Sequence, residues 1–88
     1  MNLNDLKQRV ERVHSSEVRD IGEWLLAQKM IELIDLVEHE HILLGDVNLW
    51  LYGVYHSNAF GEHPDTYALA NELMDIIYDI EKCYEQDA

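Results

Sequence analysis

Residues 64–84 read PDTYALANELMDIIYDIEKCY, and two periodicities run through them. Leu69, Leu73, Ile76, Ile80 and Cys83 recur at steps of four, three, four and three, which is one apolar face of a helix. Asp65, Glu72, Asp75 and Asp79 fall at steps of seven, three and four, and so line a second, acidic face. Pro64 suits the opening turn, where its missing N–H is no loss. No stretch of the chain alternates as a strand does, so this helix sets the class: all-α.

Upstream, Asp46 begins a helix that buries Val47, Trp50, Leu51 and Val54, with Tyr52, Tyr55 and His56 on its flanks. Gly45 reads as the stop of the preceding helix and Asp46 as the cap of this one. Residues 57–63 form the one real loop, with Phe60 tucked beneath it. Before Gly45 a long helix starts at Glu17 with Val18, Ile21 and Leu25 and continues through Leu26, Met30, Leu33 and Val37 to about His41. Ile31 and Ile34 widen its stripe, Gly22 implies close approach of a neighbour, and a bend near Gln28 is allowed. At the amino terminus, Asn2 or Asn4 caps a helix carrying Leu3, Leu6, Val10 and Val13. His14, Ser15 and Ser16 break it, and either serine suits the cap of the next helix. The expected fold is a compact bundle of four helices, or three if the first two merge.

The chain has 88 residues, enough for one domain, and 48% of them are hydrophobic. Its net charge is −12, and that excess is unevenly placed. Residues 1–29 balance five cations against five carboxylates, whereas residues 30–88 set Lys82 alone against thirteen. Such a surface repels phosphate, which argues against direct binding of nucleic acid or an anionic membrane and favours a basic protein partner. Solubility alone also accounts for an acidic surface. The single cysteine, Cys83, forms no internal disulfide and is expected buried and inert. No apolar run marks a signal peptide or a membrane span, so a cytoplasmic protein is expected.

Catalytic signatures are lacking. The serines have no ordered base and acid beside them, and four scattered glycines make no phosphate cradle. Glu38 and His41 have the Glu-x-x-His spacing of carboxylate-bridged metal bundles, with Asp35 one turn before His39. The second pair such a site needs would have to come from a symmetric dimer; the bland alternative is a solvated helix end. Arg9 and His14 match an Arg-x4-His spacing of some helical ribonucleases, on a terminal helix whose surroundings repel RNA. No cofactor and no enzymatic activity are expected.

The acidic face remains. Asp65, Glu72, Asp75 and Asp79 are joined by Glu32 and Asp35 if their helices lie side by side, with Tyr78 as aromatic anchor. Carboxylates among tyrosines suit recognition of Lys and Arg, since acids steer a cationic partner and tyrosine offers rigid contact area. Tyr67 and Tyr84 are expected to be partly buried.

Leu44-Gly45-x-Val47-x-x-Trp50 is similar to a Gly-x-Val-x-x-Trp helix start in some bacterial immunity proteins of the colicin and contact-dependent-inhibition type. Glu62-His63-Pro64-Asp65 resembles a loop of the nuclease-colicin immunity proteins; the Tyr-Tyr pair that follows there is absent, so only Asp65 carries over. The resemblance implies a small acidic inhibitor that blocks a toxin nuclease. A structural or adaptor homodimer is the alternative, and a dimeric metal carboxylate protein a further one.

Overall fold

The computed structural model describes residues 2–16, 21–57 and 64–87, with side-chain environments given as far as Lys82. Four helices make it up: α1 (Leu3–His14), α2 (Ile21–Glu38), α3 (Leu44–Ser57) and α4 (Pro64–Asp87). No strand occurs among the described residues. The first two helices do not merge, and the fold is an all-α four-helix bundle. The loop before Pro64, Phe60, the start of the second helix at Glu17, and the side chains of Cys83 and Tyr84 lie outside the described residues.

Local chemistry sets the helix ends. Asn2 caps α1 in a reciprocal box: its Oδ1 accepts from the Asp5 N–H at 3.1 Å, and its own N–H donates to Asp5 Oδ2 at 2.8 Å. At the other end Ser15 donates its N–H and its hydroxyl to Glu11 O, each at 2.9 Å, so it closes α1 behind it. The stop of α2 is not Gly45. It is Glu40, held at φ 60 in the left-handed region, with its N–H on Val37 O at 3.0 Å and the His41 N–H on Leu36 O at 2.9 Å. That pair of bonds is a Schellman turn. Gly45 instead sits inside the first turn of α3, and Asp46 reaches back to the Leu43 N–H at 2.9 Å, as the acid of a capping box does.

The helices pack as two antiparallel hairpins. Lys7 meets Glu38 and His14 stacks on Trp24, which runs α1 against α2; Tyr55 meets Tyr67 and Gly45 lies by Glu81, which runs α3 against α4. The hairpins close on a core of Leu6, Leu26, Met30, Ile34, Leu51, Leu73, Ile77 and Ile80, all fully buried. Each such side chain contributes about 1.5–3 kcal/mol of transfer free energy.

Two expected faces shift. In α4 the buried stripe is Thr66, Leu69, Ala70, Leu73, Ile77 and Ile80, so Ile77 takes the core position expected of Ile76, which moves to the flank facing α1. In α2 the buried line is Gly22, Leu26, Ala27, Met30 and Ile34, which turns Ile21 and Leu25 outward; Ile21 is 67% exposed. No helix of the described residues is long and apolar enough to cross a membrane.

Candidate protein-binding face

The register of α4 places its acids. With Leu73, Ile77 and Ile80 inward, Asp65, Glu72, Asp75 and Asp79 all stand exposed on the side of the helix that looks toward α1 and solvent. Glu72 is not a free carboxylate: Arg9 Nη2 of α1 lies 2.8 Å from its Oε2. Between the two helices is a recess of about 470 Å³ whose walls include Asp5, Arg9, Arg12, Glu72 and Asp75. A smaller one of about 280 Å³ is lined by Arg9, Glu23, Asp65 and Glu72. Carboxylates outnumber cations along this flank, where Arg9 pairs with Glu72 inside the acidic row and Arg12 borders the same recess.

Glu32 and Asp35 stand apart from that row. They border a different recess, of about 290 Å³, shared with Lys7 on the other side of α1. Glu32 faces Lys29 at 3.7 Å and Asp35 faces His39 at 3.4 Å. The first helix therefore works in two directions: Lys7 reaches Glu38 on α2 at 3.0 Å, and Arg9, two positions on, reaches Glu72 on α4. The hydrogen bond to Glu38, and then its negative charge, hold the Lys7 ammonium above its ordinary pKa of 10.5.

Tyr78 is 63% exposed, with Lys82 Nζ 5.8 Å from its ring centroid. Six positions after Glu72, it is rotated by about 120° around the axis, so it neighbours Asp75 and Lys82 and not Glu72. Tyr67 is half-buried, as expected, with its ring edge-on to Tyr55 at 6.5 Å.

The metal reading of Glu38 and His41 meets an obstacle. Glu38 is the last residue of α2, and His41 lies beyond the left-handed turn at Glu40, so the two do not share a helical face. Glu38 is engaged by Lys7, His39 Nδ1 lies 2.8 Å from the Asp35 carbonyl oxygen, which accepts from it, and no group of three or more His, Cys, Asp or Glu suited to a metal ion occurs among the described residues. The Arg9–His14 pair divides as well. Arg9 turns to Glu72, while the His14 ring stacks on Trp24 with centroids 5.1 Å apart.

One feature escaped the reading of the sequence. The outer side of α3 carries Leu49, 70% exposed, and Tyr52, 57% exposed, whose ring lies 4.1 Å from that of His56. The signal was present, because a helix that buries positions 47, 51 and 54 must turn position 49 outward. No family model, no curated protein and no solved structure matches this chain.

Proposed function

We propose that this chain is a small acidic inhibitor that binds a basic protein, with the α1-facing flank of α4 as its contact surface. The reading rests on one observation: four carboxylates of α4, Asp65, Glu72, Asp75 and Asp79, stand exposed along one flank of a rigid helix. A helix on a packed core holds such groups in place before the partner arrives, which lowers the ordering cost of binding. Their summed field steers a cationic partner and raises its association rate. Nuclease clefts are basic because they hold phosphate, so a toxin nuclease of the kind immunity proteins neutralise fits this surface. The four carboxylates carry the attraction together, Glu72 joins by exchanging Arg9 for a partner cation, and Tyr78 supplies contact area at the edge. Glu32 and Asp35, on α2, add to the long-range field alone.

The test is the association rate of the chain with the basic protein it captures, followed across ionic strengths. Asp65→Lys with Asp75→Lys is expected to slow association about tenfold or more and to flatten its salt dependence. An on-rate indifferent to both substitutions and to salt removes the acidic flank from the function.

A further inference from the structure

We infer that the groove between α1 and α4 takes two arginine side chains of the basic partner, spaced Arg-x-Arg on an extended segment, one in each of its two recesses. The inference rests on the inhibitor reading above and adds to it the form of the partner's contact. On α4, Asp65, Ala68, Leu69, Glu72, Asp75 and Ile76 recur at steps of three, one, three, three and one, which is a single stripe of the helix. Both recesses lie on it. The smaller, of about 280 Å³, borders positions 65, 68, 69 and 72; the larger, of about 470 Å³, borders 72, 75 and 76. Among the described residues Arg9 and Glu72 alone line both, and their 2.8 Å contact spans from α1 to α4. The two recesses are thus one groove crossed by a bridge.

Each recess joins apolar surface to acids. Ala68 and the buried Leu69 line the smaller, where Glu23, Asp65 and Glu72 are set against Arg9 alone. The half-buried Ile76 lines the larger, where Asp5, Glu72 and Asp75 are set against Arg9 and Arg12. Carboxylates exceed cations in both. A long cationic side chain complements such a place, with its methylene stem on the apolar part and its charged head among the acids. Arginine suits it better than lysine, because a planar guanidinium can meet carboxylates of two helices at once. Arg9 on Glu72 is that pairing already made inside the groove. Spacing sets the pattern of the partner. The two recesses are centred about six positions apart along α4, on the order of 9 Å. Side chains two residues apart on an extended segment point the same way at about 7 Å, the same-side spacing nearest to that separation. Adjacent arginines point to opposite sides and serve one recess only.

NMR titration of the full chain at low salt with two capped peptides of equal charge, Gly-Arg-Ser-Arg-Gly and Gly-Arg-Arg-Ser-Gly, tests the inference. The first is expected to bind about threefold or more tighter than the second, the gain of one further partly exposed ion pair. Its shifts are expected on the amides of α1 and of positions 65–76, while those around Glu32 and Asp35, acidic and exposed as well, stay in place. Ala68→Gln narrows the smaller recess without changing charge or helix propensity by much. It is expected to erase the difference between the two peptides at unchanged helical circular dichroism. Equal binding of the two peptides, shifts spread over every acidic segment, an Ala68→Gln variant that still tells them apart, or no binding at all overturns the groove. The inhibitor reading is decided separately, by the salt-dependent association rates of the Asp65→Lys and Asp75→Lys protein; if those hold and the groove fails, the acids act through their field alone.

Discussion

Arg9 and Glu72 meet between α1 and α4 at 2.8 Å, and this one contact places a cation inside the acidic row of α4. Both side chains keep substantial exposure, so the pair adds little stability; partly exposed pairs contribute about 0–1 kcal/mol. Its main effect is on the field the surface presents. Arg9→Gln is expected to leave the unfolding midpoint within about 1 kcal/mol of the native value. The same change should speed association with a basic partner at low salt. Stopped-flow rates alongside urea unfolding check both parts, and a slower association contradicts the placement of Arg9 as an internal counterion.

Glu40 holds a left-handed conformation at φ 60, which L-residues with a Cβ adopt at a cost. Glu40→Gly keeps both Schellman hydrogen bonds and removes that cost, so it is expected to stabilise the fold by about 1 kcal/mol. Glu40→Val is expected to do the reverse. Urea midpoints of the two variants decide it.

Thr66 is fully buried in the first turn of α4, and its hydroxyl finds no hydrogen-bond partner among the described residues. A buried polar group left unpaired costs about 1–3 kcal/mol. Thr66→Val, close in shape and without the hydroxyl, is therefore expected to raise stability by about 1 kcal/mol. A loss of stability in thermal unfolding would show that the hydroxyl is satisfied in solution.

Lys7 titrates above 10.5 because Glu38 bonds and attracts its charged form. A folded pKa above the unfolded one gives stability that is fully present below the unfolded value and lost as pH rises through the folded value. The contribution of this pair should thus be constant near neutrality and fade in alkali above 10.5. Glu38→Gln is expected to return the Lys7 titration, followed by NMR, toward its ordinary position. Identical titrations in the two proteins contradict the pairing.

The spacing of apolar residues made an all-helical bundle of four helices, or three with the first two merged, legible because each helix buries one face and little else. Which face was harder to read where apolar residues crowd. In α4, Ile76 and Ile77 are adjacent, and the choice falls on Ile77 because Thr66 and Ala70, small residues that a hydropathy stripe passes over, complete its side. In α2 nearly every turn offers two apolar residues, and the buried line runs through Gly22 and Ala27, small residues that a hydropathy stripe passes over. The Glu40 turn was hidden because a left-handed glutamate has no local signature. The division of the carboxylates between Arg9 on one side of α1 and Lys7 on the other depends on contacts between distant parts of the chain, which periodicity does not encode.

The joint between the two hairpins is knotted down from both sides. Backbone bonds at Glu40 and His41 finish one arm, and the Asp46 carboxylate on the Leu43 amide starts the next within a few residues. A connection so tightly stitched has no slack for one arm to swing against the other. The α2–α3 joint therefore reaches an encounter already set, and adaptation there falls to side chains or to the other molecule.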